Sequence, residues 1–185
     1  DAFKNMSEDT KNKMIEGNYT SETKTFDLTT NHIIDDATNE FLTLSLCSID
    51  LTLLPTLLSG ILWSVDDLPS TDLNASGNNA SGITEYSASV SIIGTCKADL
   101  YIKGWGDLIS GVNTIGLQNE TYCHNETDNT VPGTACNELS TTYQLVASNM
   151  SDSENAYFKF YLSVPSGQQP GTYNNTIGFK AEKAP

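Results

Sequence analysis

Apolar residues recur at every second position in one short run after another, and that period restricts the chain to strands. Leu42, Leu44 and Leu46 share one face of an extended segment, because successive side chains of a strand point to opposite sides. Ile49, Leu51 and Leu53 continue with the phase shifted by one residue, which predicts a β-bulge near Cys47-Ser48. Ile61, Trp63 and Val65 follow. Tyr86, Ala88, Val90 and Ile92 then alternate with Ser87, Ser89 and Ser91, as in a strand with one wet face. Further runs are Ala98, Leu100 and Ile102; Tyr143, Leu145 and Ala147; Phe158, Phe160, Leu162 and Val164; and Tyr173, Ile177 and Phe179. About eight short strands with no helical run among them predict an all-β fold, a two-sheet antiparallel β-sandwich, Ig-like or jelly-roll. A closed barrel is the alternative, since periodicity does not count sheets.

The segments between these runs carry their own expectations. Leu51 to Val65 is the longest apolar stretch, but Pro55 and Ser59-Gly60 interrupt it. It is too short for a membrane helix and reads as two strands joined at a turn. Residues 72–84 are rich in Asn, Ser and Gly and predict a surface loop. Residues 107–138 show no regular period. Residues 1–36 are polar, contain few aliphatic side chains and cannot build a core alone. They form an N-terminal extension to a sandwich domain over 37–185. Within the extension, Ser7 to Glu16 before Gly17 suits a short capped helix, and Phe26, Leu28 and Ile34 fall at even positions of a weak strand pattern.

Four cysteines allow three pairings. Cys123 and Cys136 lie in one polar stretch and are expected to bridge locally. Cys47 and Cys96 each end an apolar run and would then staple two strands. No CxxC spacing exists and only His124 is near a cysteine, so disulfides in an oxidising compartment are favoured over zinc. N-x-S/T acceptor sites occur at Asn5, Asn18, Asn74, Asn79, Asn119, Asn125, Asn149 and Asn174, twice the roughly four that chance placement gives. The alternative reading is that Asn and Thr are turn and strand-face residues. Asn174 and Thr176 alternate with Tyr173 and Ile177, so the acceptor is expected on the wet face. The chain opens at Asp1 without an apolar leader, which reads as a mature secreted chain.

The net charge is -14 and all nine cations are lysine. An acidic chain without arginine is a poor partner for nucleic acid. His32 and His124 are the only histidines, and no G-x-S-x-G or phosphate-loop motif occurs. A Cys123/His124 pair would point apart on an extended chain, so no enzyme is expected. Asp35-Asp36, Asp66-Asp67 and the pair Asp152 and Glu154 are oxygen ligands that could hold Ca²⁺, with Asp152 and Glu154 the best placed. None has the spacing of a calcium loop, and most acidic pairs are simply solvated. Trp105 between Gly104 and Gly106 either caps the sandwich core or offers a ring face to sugar.

Two segments carry a resemblance. The stretch from Phe158 through Val164-Pro165-Ser166-Gly167 to Phe179 resembles the closing strands of secreted β-sandwich proteins of archaeal cell-surface layers and filaments. Cys96 to Asp107, with Gly104-Trp105-Gly106, resembles their mid-domain strand. The broader group includes archaeal bundling-pilus and thread subunits and, distantly, camelysin-like biofilm-matrix subunits. The likeness covers residues 41–185 and consists of turn and strand motifs. It implies a subunit of an extracellular, glycosylated filament, a head-to-tail homopolymer in which an N-terminal segment inserts as a strand into the next subunit. Phe26, Leu28 and Ile34 would be the donor side chains. The alternative is a monomeric or surface-anchored adhesin or glycan-binding sandwich, whose extension folds back on its own chain and whose Trp105 lines a cleft.

Overall fold

The computed structural model describes residues 26–31, 41–79, 83–131 and 136–185, with 26–31 and 41–46 described through their backbone. The expected helix at 7–16, the acceptors Asn5 and Asn18, and Ile34, His32 and Asp35-Asp36 lie outside the described residues. In chain order the elements are β1 (Phe26–Asn31), β2 (Phe41–Leu46), β3 (Ser48–Leu53), α1 (Pro55–Leu58), β4 (Ser70–Asn74), β5 (Tyr86–Ile93), β6 (Ala98–Gly104) and β7 (Leu108–Ser110). They continue with β8 (Asn113–Ile115), β9 (Glu120–Asn125), β10 (Asn137–Glu138), β11 (Gln144–Met150), β12 (Asn155–Val164) and β13 (Ile177–Lys183).

The fold is the antiparallel two-sheet sandwich that the period predicts. One sheet has the order β10-β9-β12-β5-β3, with β4 also on β12; the other is β11-β6-β13. Their inner faces meet in one core of Tyr86, Ala88 and Val90 from β5, Leu100 and Ile102 from β6, and Phe158 and Phe160 from β12. Phe158 meets Phe179 of the opposite sheet edge-on, with ring centroids 5.3 Å apart, the geometry that aromatic quadrupoles favour. Both expected disulfides are present. Cys47–Cys96 ties the start of β3 to the crossing from β5 into β6, and Cys123–Cys136 closes a local loop beside β9.

β12 is the spine of the larger sheet. One side pairs with β9 from Tyr157 to Leu162. On the other side β5 pairs with residues 155–158 and β4 takes over from Tyr161 to Val164. The gap between β5 and β4 is closed by side chains. Asn78, 1 % exposed, donates from Nδ2 to the Phe160 carbonyl at 2.7 Å and accepts the Phe160 N–H on Oδ1 at 2.8 Å. Its amide therefore copies the donor and acceptor of a missing strand residue. The Thr84 hydroxyl donates to the Phe158 carbonyl and accepts the Tyr86 N–H. Gly77 brings this turn close: a Cβ there would stand 2.5 Å from the Tyr86 ring, whose hydroxyl accepts the Gly77 N–H.

Five local expectations are corrected. Cys47-Ser48 is not a bulge: β2 pairs with β1, β3 pairs with β5, and the phase shift marks a change of ladder. Ile61, Trp63 and Val65 form no strand. Pro55, which has no N–H to give a ladder, opens the single turn α1 instead, and the connector behind it runs irregularly. Residues 72–84 are not simply a surface loop, since they contribute the end of β4 and the buried Asn78 and Thr84. Residues 107–138 hold β9, whose period is hidden because a carboxylate, Glu120, occupies a buried position beside Tyr122. In β11 the register shifts between Leu145 and Ala147, so Leu145 is exposed while Val146 and Ala147 are buried.

Replacing Asn78 with Ala leaves the Phe160 N–H buried without a partner, and such a loss costs about 1–3 kcal/mol. Glu85→Ala, at an exposed position of the same turn, should stay within about 0.5 kcal/mol of wild type. Urea unfolding of both variants measures the contrast, and equal midpoints would refute the bridging role.

Candidate functional site

At one end of the sandwich a groove of about 880 Å³ opens between two chain segments. One wall is the end of β3, α1 and the connector through Leu68; the other is residues 168–176 with Ile177 and Phe179 of β13. Its floor includes Leu108, Ile115, Leu162 and Val164, a second apolar cluster separate from the main core, with Trp63 and Tyr173 packed against it. Leu58, Leu62 and Leu68 on the connector side are 72 %, 66 % and 45 % exposed. A contiguous apolar surface of this kind on a polar protein marks a place where something binds.

Both walls are held by specific bonds. Tyr173 Oη donates to the Gln169 carbonyl at 2.8 Å and accepts from Gln168 Nε2 at 2.7 Å. Asn174 exchanges two main-chain bonds with Ile109. Asn175 Nδ2 donates to the Gly106 carbonyl and to Glu120 Oε1. Opposite, the Ser76 N–H bonds the Leu62 carbonyl at 2.9 Å. Trp63 Nε1 is buried and meets no acceptor among the described residues. The groove is an apolar slot between these two walls.

The expected site residues fall into several places. Asn74, Asn79, Asn149 and Asn174 are exposed, whereas Asn119 and Asn125 are partly buried and use Nδ2 to donate to the Gly116 carbonyl and Asp128 Oδ1. Asn79 follows a short turn and Asn149 lies at the second register shift of β11, both with φ of 56°, a sign of φ that asparagine tolerates. Asn174 stands on the groove rim. Phe26 and Leu28 lie on β1, which pairs with β2 of the same chain, a two-stranded ladder hydrogen-bonded to neither sandwich sheet. Its register opposes Phe26 to Leu46 and Leu28 to Leu44, alternating with Asp27–Ser45 and Thr29–Thr43.

Asp152 and Glu154 spend their carboxylates on the main chain. Asp152 Oδ1 accepts the Ile92 N–H at 2.7 Å, which holds its pKa below the usual value, and Glu154 Oε2 accepts the Ser151 N–H at 2.8 Å. No group of three potential metal ligands occurs among the described residues. Cys123 is tied in its disulfide, so it offers no thiol beside His124; burial lowers the His124 pKa. Trp105 neither caps the core nor lines the groove: it is 63 % exposed on the outer face of β6. The tryptophan in the groove is Trp63. No helix among the described residues is long and apolar enough to cross a membrane.

Glu120 was hidden from sequence reasoning, although its parity with Tyr122 is the signal that would have placed it inward. Burial pushes its carboxyl up to about 7, only partly offset by the Asn175 hydrogen bond, and Asp107 raises it further. Its Oε2 has no partner among the described residues. Compared with protein-family models, curated proteins and solved structures, the chain matches none of them.

The folded chain holds the Glu120 proton up to about pH 7, while the unfolded chain releases it near 4.5. This stabilisation is complete below the lower value and is lost as pH rises through the upper one. Relative to Glu120→Gln, the wild type should therefore lose stability between pH 5 and pH 8. Urea midpoints for both proteins across that window test it; a constant difference would contradict the buried-acid account.

Proposed function

We propose that the chain is a non-enzymatic structural subunit of an extracellular, glycosylated filament, assembled by insertion of its N-terminal segment into the groove of a neighbouring copy. The observation that supports this most is the apolar groove itself, preformed, rimmed by exposed leucines and lined by no catalytic constellation. The segment around β1 is apolar at Phe26, Leu28 and Ile34, with Asp27 between the first two and Ile33 beside the third. In the polymer β1 exchanges its pairing with β2 for the neighbour, as in a domain swap that does not close. Burying three such side chains contributes about 1.5–3 kcal/mol each, against an association cost of roughly 4–15 kcal/mol. Side chains alone do not decide the contact. Main-chain bonds along the inserted strand must add to it.

Two disulfides suit an oxidising exterior, and a coat of N-glycans on the exposed acceptors accounts for a surface poor in charge and rich in Asn, Ser and Thr. A glycan on Asn174 would stand beside the inserted strand at the groove mouth.

Two measurements bear on this reading. Electron microscopy and size-exclusion of the full chain should show concentration-dependent head-to-tail polymers. Leu62→Asp, at an exposed position, should leave folded monomers with unchanged circular dichroism, and deletion of residues 1–36 should leave folded monomers that lose only the signal of β1 and its ladder with β2. Polymers that persist after the deletion, or a wild type that stays monomeric at every concentration, would sink the model. Glycopeptide mass spectrometry of chain secreted by its native cells should find occupancy at Asn74, Asn79, Asn149 and Asn174 well above that at Asn119, whose amide must first give up its bond to Gly116. The reverse order would count against the glycan coat.

A further inference from the structure

The outer face of the three-stranded sheet gathers aromatic and cationic side chains in a single stripe. Tyr101 and Lys103 occupy alternate positions of β6, and Trp105 follows in the same phase just beyond it. Register sets Lys180 of β13 beside Tyr101, and Gly178 beside Lys103. The Lys103 ammonium lies 3.6 Å from the Trp105 ring centroid and 4.7 Å from that of Tyr143. The Lys180 ammonium lies 4.5 Å from Tyr101 and 5.0 Å from Tyr143. Rings and cations therefore alternate along the face. Gly178 makes the room: a Cβ there would stand 2.8 Å from Trp105 Nε1 and 3.5 Å from Tyr143 Oη.

This stripe does nothing for the core. Trp105 keeps most of its surface in water, and Tyr143 and Leu145 beside it are exposed too. Isolated exposed apolar residues are ordinary, but rings set in register with lysines on a rigid sheet are an organised surface. The charge on it is uneven. Lys180 is compensated by Glu182 at 2.8 Å, and Asp99 lies near the Tyr101 hydroxyl. No carboxylate among the described residues lies within ion-pair distance of Lys103. On a chain of net charge -14, the end of the stripe at Trp105 holds an uncompensated cation beside an open indole.

We propose that this face binds a carboxylated polysaccharide, a uronic-acid polymer, with a pyranose ring stacked on Trp105 and its carboxylate on Lys103. The C–H face of a pyranose is apolar and matches the indole, while the carboxylate complements the Lys103 ammonium. The flanking rings already restrict Lys103, so less rotamer freedom is lost on binding. A shallow sheet face suits a polymer chain lying across it, whereas a small ligand needs a concave pocket. Nucleic acid also stacks on aromatic rings, but a single uncompensated lysine releases few counterions and the acidic remainder repels phosphates. The site lies apart from the groove and does not depend on polymerisation.

Affinity electrophoresis of the full chain through native gels containing polygalacturonate tests the site, with dextran gels as the neutral control. Retardation should be saturable in polygalacturonate and absent in dextran. Trp105→Ala should abolish it and Lys103→Gln should weaken it about tenfold, the scale of one charge-assisted contact. Lys97→Gln, whose ammonium instead meets Ser151 Oγ, should leave it unchanged, and circular dichroism should be the same for all. An oligo-dT competitor should not release the protein. The proposal is overturned by no retardation, by equal retardation in dextran, by release with oligo-dT, or by a Lys97→Gln loss equal to that of Lys103→Gln.

Discussion

The larger sheet depends on hydrogen bonding along both sides of β12, and on one side a side-chain amide bridges the gap, accepting the Phe160 N–H and joining the Ala75 N–H at the Phe160 carbonyl. β5 ends its pairing at Phe158 and β4 begins at Tyr161. Between them Phe160 sits in the core with its main-chain groups shut away from water. An unpaired N–H there would cost as much as a whole hydrogen bond returns. Asn78 satisfies both groups with one planar amide. The turn that carries it is held in turn by Gly77 on Tyr86 and by Thr84 on Phe158. Core packing and polar satisfaction are thus the same set of residues, since Tyr86 and Phe160 also meet edge-on at 5.5 Å.

Splitting the partner of β12 has a second consequence. β4 and β5 each pair with only part of β12, and the chain between β3 and β4 runs outside the ladder as the wall of α1 and its connector. Facing it, the 168–176 segment is pinned by Tyr173, Ile109 and the Asn175–Glu120 contact. The groove is what remains between these two walls. Its floor is a separate apolar cluster, so an occupant could cover it without disturbing the main core.

The groove and the aromatic stripe present opposite chemistry. One is an apolar slot at an end of the sandwich, suited to an extended peptide of its own kind. The other is an open, wet face where rings and lysines alternate, suited to a carboxylated sugar chain. Different strand ends carry them, with Trp63 in the first and Trp105 in the second. Cys47–Cys96 fixes the crossing between the sheets that separates the two. A filament subunit that also bound an acidic matrix would use both surfaces at once.

What the residues determined alone was whatever rests on period and covalent chemistry. Alternation in Tyr86 to Ile92, Ala98 to Ile102 and Phe158 to Val164 specified strands and their inward faces, because a two-residue repeat leaves no other way to bury every second side chain. Cysteine placement specified two staples. Tertiary structure decided what alternation does not encode. A polar residue has no period of its own, so Glu120, Asn78 and Thr84 read as loop or surface until the ladder they complete is seen. Leu145 and Val146 exchange faces through a bulge, and Ile61 and Trp63 leave the sheet altogether after Pro55. The groove could not be read from the chain because its walls lie about a hundred residues apart. The stripe was half legible, since Tyr101, Lys103 and Trp105 share a parity, but Lys180 and Tyr143 reach them only through strand order, which no local pattern records.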